Sequence, residues 1–122
     1  MMLAAMRGLL PYHQAVVDGS WRQDGRFCLN ELPILALRGK TLGIVGIGNI
    51  GKRVTEIARV FGMNVLWAEL RHATPRSPQY TPFDEVFATA DIISLHCPLN
   101  DASHHLHEQN PGIMRHLAQI GG

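Results

Sequence analysis

Charge is scarce in this chain. Charged residues fill 17% of its 122 positions, 11 Lys and Arg against 10 Asp and Glu, for a formal net charge of +1. So even a balance leaves no basic field for nucleic acid or for an anionic membrane surface. Cysteine is nearly absent too. Cys28 and Cys97 lie too far apart, and are too few, for a disulfide framework or a metal knuckle, and they read as reduced thiols of a cytoplasmic protein. Long apolar runs are missing. Arg7 interrupts the opening MMLAAMRGLL, no small-residue cleavage site follows it cleanly, and no stretch approaches the roughly 20 apolar residues of a membrane span. Internal repeats and low-complexity tracts are also lacking, so solenoids and disordered linkers are excluded.

What is present suits one buried core. Hydrophobic residues make up 46% of the chain, and 13.5 kDa is enough for a single core without a second lobe. Glycine is frequent, 12 residues, which points to turns where backbone must come close to something.

Leu3, Met6, Leu9, Leu10, His13, Val16 and Val17 recur at helical spacing, so residues 2–18 are expected to form an amphipathic helix bent by Pro11, with Met1, Met2 and Met6 on its apolar face. Asp18-Gly19-Ser20 stops it, and Trp21 follows as an anchor. Residues 22–40 read as an irregular connection. Thr41–Val45 is a short apolar run suited to a strand buried on both faces. A helix follows, with Val54, Ile57, Ala58 and Phe61 expected on its inner face and Gly62 ending it. Met63–Ala68 is a second strand, the proline-bearing residues 71–82 a loop, and Asp84–Ala90 a short helix with Phe83, Val86 and Phe87 inward. Asp91–His96 is a third strand, and the tail carries one more weak helical pattern from Ile113 to Ile120. Strand–helix–strand–helix–strand implies right-handed crossovers and a parallel sheet, hence an α/β fold.

Between the first strand and its helix stands Gly46-Ile47-Gly48-Asn49-Ile50-Gly51. A glycine hexamer alone is a weak signal, but here it leaves a buried strand, opens a helix, and is followed by Glu69 at about the 20-residue spacing of a ribose-binding carboxylate. Gly46 allows the tight turn, Gly48 lets backbone touch a pyrophosphate, and Gly51 lets the helix approach the sheet. The helix start at Asn49 and Ile50 offers unpaired N–H groups and a partial positive charge to the anion. Glu69 would repel a 2′-phosphate, favouring NAD over NADP, while Arg71 and His72 could soften that preference. The competing reading is a tight strand–helix turn with a surface glutamate and no ligand.

The phrases GKTLGIVG-x-G-x-IG, FGM-x-V and SLHCPL, within Leu37–Asn100, resemble the cofactor domain of the D-2-hydroxyacid dehydrogenases, most nearly the glycerate dehydrogenase/hydroxypyruvate reductase branch. The resemblance covers roughly residues 3–103. It implies a Rossmann-type sheet, incomplete here: residues 1–22 as an interdomain-type crossover helix, and 23–122 as a truncated NAD-binding domain of about one mononucleotide-binding half. It also implies pyrophosphate contacts at Asn49 and Ile50, ribose contacts at Glu69, an adenine wall of His96, Cys97 and Pro98, and Ser103 near the cofactor. His96 is not the family's catalytic histidine.

The family's chemistry uses an arginine to hold the substrate carboxylate, a histidine as acid/base and a glutamate that tunes it. By the resemblance all three fall beyond Gly122, so no catalytic residue is assigned, and the chain is expected to be a truncation or a fragment, inactive alone. His104, His105 and His107 lack the spacing and partners of a zinc site and read as a solvated loop. Trp21 and Trp67 read as packing residues. The expected role is NAD(H) binding within an enzyme that moves hydride between nicotinamide and a small 2-hydroxy or 2-oxo acid. The alternatives are a non-enzymatic dinucleotide-binding interaction module and an inactive truncated product. The uncovered apolar face of the first helix, and a sheet edge left open, imply a homodimer.

Overall fold

The computed structural model of the protein describes residues 1–23, 25, 34–69 and 77–98. The chain divides into two compact units, Met1–Leu37 and Arg38–Gly122.

The first unit carries helices α1 (Met2–Met6), α2 (Leu9–Val17) and α3 (Ser20–Gln23). The single helix expected over residues 2–18 is therefore two, and the break is not at Pro11. It falls at Gly8, whose φ of 65° lies in the left-handed region and which caps α2. Pro11 sits in the first turn of α2, where its missing N–H has no intrahelical acceptor to lose. Asp18 ends α2: its Oδ1 accepts from the Ser20 N–H at 2.9 Å and also from the Ser20 hydroxyl. These hydrogen bonds hold the exposed Asp18 carboxyl below its ordinary pKa. Trp21 packs against Tyr12 with ring centroids 6.0 Å apart. Met6 is the one buried residue of the three helices, while Leu3, Leu9, Leu10, Val16 and Val17 are exposed.

The second unit is an α/β fold on a four-stranded, all-parallel sheet in the order β3-β2-β1-β4. Its elements are β1 (Thr41–Val45), α4 (Asn49–Val60), β2 (Asn64–Ala68), β3 (Tyr80–Thr81), α5 (Phe83–Thr89) and β4 (Ile92–Leu95). β3 is a correction to the loop expected over residues 71–82. Tyr80 pairs with Trp67 and Thr81 with Ala68, and the Glu69 N–H extends the ladder to the Thr81 carbonyl at 2.9 Å. At the other end of the sheet, Asp91 ties β4 to β1. Its Oδ2 accepts from the Thr41 N–H at 2.8 Å, and its own N–H donates to the Thr41 carbonyl at 2.9 Å.

Residues paired across a parallel sheet share a face. One rung therefore runs Ser94–Ile44–Trp67–Tyr80, and the next, on the opposite face, holds Val45, Ala68 and Leu95. The second face carries α5, through Phe83 and Val86 against Val45, Ala68 and Ile93, as the inward residues of that helix predict. α5 lies so near β1 that a Cβ on Gly43 would meet Val86 Cγ1 at 2.6 Å.

α4 covers the first face, with Ala58 buried as its sequence suggests but the larger apolar residues Ile57 and Phe61 left out. Gly51, Thr55 and Ala58 are buried, whereas Ile57 and Phe61 are 55% and 44% exposed. Small residues let helix and sheet approach closely, and the bulky ones are turned to the flank. The helix ends as expected at Gly62, with φ of 76°. The Met63 N–H reaches the Ala58 carbonyl and the Gly62 N–H the Arg59 carbonyl, the two bonds of a Schellman cap. Among the described residues no helix is long and apolar enough to cross a membrane.

Candidate functional site

β1 leaves the sheet at Val45, and Gly46 turns the chain with φ of 94°. Two facts make glycine obligatory there. The φ lies in the left-handed region, and a Cβ would stand 2.6 Å from the His96 carbonyl carbon and from the Cys97 nitrogen. The His96 N–H donates to the Val45 carbonyl at 2.7 Å, so the exits of β1 and β4 are fastened together. Gly51 is obligatory for a second reason: a Cβ on it would collide with the Gly46 carbonyl oxygen. The first turn of α4 thus rests directly on the turn that precedes it.

Gly48 differs. Its backbone is extended (φ −92°), and a Cβ there would meet nothing within 4 Å. Two glycines of the hexamer are required by the fold; Gly48 is required by nothing in the fold. Gly48 is also the N-cap of α4, which has no side-chain cap and no acid in its first turn. The amides of the first turn therefore face outward without an intrahelical acceptor and carry the positive end of the helix dipole.

Gly46, Ile47 and Gly48 form one wall of a cleft of about 310 Å³, with Ala68, Glu69 and Tyr80 from the β2–β3 side and His96, Cys97 and Pro98 from the end of β4. It opens at the carboxyl ends of the strands, where the chain crosses to one face of the sheet through α4 and to the other through α5. That is the topological switch point at which open α/β sheets take their ligands. Glu69 is 5% exposed there. His96 Nε2 lies 2.8 Å from the hydroxyl of buried Ser94. Burial holds the imidazole below its ordinary value of 6.5, so the ring is neutral at physiological pH.

Of the residues expected from sequence, Gly46, Gly48, Glu69, His96, Cys97 and Pro98 come together around the cleft. Asn49 and Ile50 stand exposed on the first turn of α4, and Gly51 is buried beneath it. Ser103, Arg71, His72, Cys28 and the histidines at 104, 105 and 107 lie outside the described residues, as does the helix expected over 113–120. Cys97 is a free thiol. Among the described residues no three His, Cys, Asp or Glu are grouped to hold a metal ion. Sequence reading missed Ile47, Ala68 and Tyr80. The first two are neighbours of motif residues and could have been drawn in by adjacency; Tyr80 is brought to the cleft only by the pairing of β3 with β2.

Gly48 bears on whether a dinucleotide fits. A pyrophosphate needs bare backbone at a helix N-terminus, and Gly48 leaves open the space that a side chain would fill. Residues 1–111 match the family model described as the D-isomer specific 2-hydroxyacid dehydrogenase, NAD binding domain.

The chain belongs to this family.

It is 36% identical over 92 residues to a hydroxypyruvate reductase of Blautia hydrogenotrophica, a match covering 72% of this chain and 28% of that protein. With a glycerate dehydrogenase of Methylorubrum extorquens it shares 34% identity over 101 residues, 81% of this chain and 30% of the relative. Among solved structures, an acyclic imino acid reductase in complex with NADPH and D-Arg superposes with a TM-score of 0.70 at 26% identity, over 95% of this chain and 36% of that one. The family domain and the parallel sheet agree, and the chain spans about a third of the length of the proteins it matches, or less.

Proposed function

We propose that this chain is the NAD(H)-binding part of a D-2-hydroxyacid dehydrogenase. The observation that carries this is Gly48, a glycine with no role in the fold, at the mouth of a cleft bounded by an uncapped helix N-terminus and a buried carboxylate. In this reading the backbone at Gly46 and Gly48 and the amides of Asn49 and Ile50 hold the pyrophosphate, above the close contact that Gly51 allows. Glu69 accepts from the adenosine ribose hydroxyls. His96, Cys97 and Pro98 wall the adenine side, with Ser103 near the cofactor, and neutral His96 serves as lining rather than as an acid or base. Residues 1–22 supply the crossover helix of the larger protein and 23–122 part of its cofactor domain.

Bound nicotinamide supplies the hydride; the chain's share is binding and orientation. The substrate pair we favour for the whole enzyme is glycerate/hydroxypyruvate, in line with the names of the relatives at 34–36% identity. The residues that hold and protonate such a substrate in the family are assigned to no position of this chain. A dinucleotide-binding module without catalysis would use the same cleft. We place the protein in the cytoplasm.

NAD is preferred to NADP because a 2′-phosphate would meet the like charge of Glu69, even though one structural relative was solved with NADPH. Fluorescence titration with NADH and NADPH tests both parts of the reading. Tighter binding of NADH, with the difference reduced in Glu69→Ala, is expected. Equal or tighter binding of NADPH by the unsubstituted chain would contradict the preference, and binding of neither would contradict the function.

A further inference from the structure

α4 meets the sheet through Gly51, Thr55 and Ala58, a row with almost no side-chain relief. Such a smooth contact sets the distance between helix and sheet but does little to stop the helix sliding along its axis. A polar tie supplies what packing does not. Trp67, half-buried at the penultimate position of β2, donates its indole Nε1–H to Thr55 Oγ1 at 3.0 Å, and the same hydroxyl donates to the Gly51 carbonyl at 2.9 Å. Thr55 is 2% exposed, so its bond to Gly51 forms away from solvent and its bond to Trp67 is partly shielded. Gly51 in turn rests on the Gly46 carbonyl, and Gly46 on the backbone of His96 and Cys97. A continuous path therefore runs from a side chain of β2, through the first turns of α4, to the glycine turn.

On the dinucleotide reading above, we infer that Trp67 is a positioning residue for the pyrophosphate. Through Thr55 it fixes how far along the sheet the first turn of α4 stands, and so where the amides of Asn49 and Ile50 meet the anion. A donor displaced by a fraction of a hydrogen-bond length loses much of its interaction with charge, so a remote tie of this kind is read out in affinity. Trp67 itself lines no part of the cleft; its ring centroid lies 5.9 Å from that of Tyr80, which does.

Calorimetric titration of the whole chain with ADP-ribose and with adenosine separates positioning from mere stability. Trp67→Phe, which removes the indole bond, and Thr55→Val, which removes both bonds of the hydroxyl, are expected to weaken ADP-ribose binding by about three- to tenfold while leaving adenosine binding nearly unchanged. Thr55→Ser keeps the hydroxyl and is expected to bind as the unsubstituted chain does. The double variant Trp67→Phe/Thr55→Val should be no weaker than Thr55→Val alone, because one path is cut once. Unchanged ADP-ribose affinity in Trp67→Phe would overturn the inference, as would a parallel loss of both ligands. Failure of the unsubstituted chain to bind either ligand would overturn the dinucleotide reading itself, a different result from either of those.

Discussion

The α-carbon of Gly46 is pressed against the carbonyl group of His96: a Cβ at position 46 would lie 2.7 Å from the His96 oxygen. This contact joins the ends of β1 and β4, the two strands between which the cleft opens. It belongs to the fold before it belongs to any ligand, and its loss should appear as lost stability. Gly46→Ala combines a left-handed φ with a backbone collision and is expected to cost roughly 2–4 kcal/mol. A urea melt should show the unfolding free energy fall by that amount, with a lower midpoint, or the chain unfolded outright. A midpoint equal to that of the unsubstituted chain would mean the turn is not built as described.

Stability should depend on His96 in a direction fixed by its burial. Its pKa is lowered in the folded chain from the ordinary 6.5. The folded state therefore binds this proton less readily than the unfolded chain. The contribution is full above the unfolded value and is lost as pH falls through 6.5 toward the lower folded value. Much of the ring remains within reach of water, so the effect is small. The check is a difference: unfolding midpoints at pH 7.5 and pH 5.5 for the chain and for His96→Gln. The variant should lose less stability on acidification than the parent, and an equal loss would show that His96 does not contribute.

Association should follow from the apolar residues left exposed on α1 and α2. Leu9, Leu10, Val16 and Val17 are each more than 60% exposed. We expect a homodimer through this surface, lost on deletion of residues 1–20. Sedimentation at tens of micromolar decides it, and a monomer unchanged by the deletion would exclude the dimer.

The strong elements were legible in the sequence because each carries its own signal. Thr41–Val45 is an unbroken apolar run, Gly62 stands where a Schellman cap needs it, and Phe83, Val86 and Phe87 repeat at helical spacing. β3 was illegible because two residues have no period, and Tyr80-Thr81 becomes a strand only by pairing with Trp67 and Ala68. The inner face of α4 was legible at Ala58 but not at its neighbours, for a related reason. Hydrophobic spacing picks out Ile57 and Phe61 along with Ala58, while close approach to the sheet keeps Ala58 and adds the small residues Gly51 and Thr55. The break at Gly8 rather than Pro11 reflects the one place in a helix where proline loses nothing. In the cleft, the motif residues could be named from their order, but not the different demands on the three glycines, which appear only when each Cβ position is compared with its surroundings. Trp67 read as packing, because its bond to Thr55 spans two elements that only the fold brings together.

The central claim, that the glycine turn serves a dinucleotide and not only the fold, is tested most directly at Gly48. Gly48→Ala places a methyl group in open space on an extended backbone, so stability should be unchanged or rise by about 0.4–1 kcal/mol through the unfolded chain. The same methyl group stands where the pyrophosphate must touch backbone, and NADH affinity should fall by at least about tenfold, 1.4 kcal/mol. Urea melts and NADH titrations on the same preparations read both quantities. Preserved stability with lost binding is the predicted result; a Gly48→Ala chain that binds NADH as tightly as its parent would contradict the account.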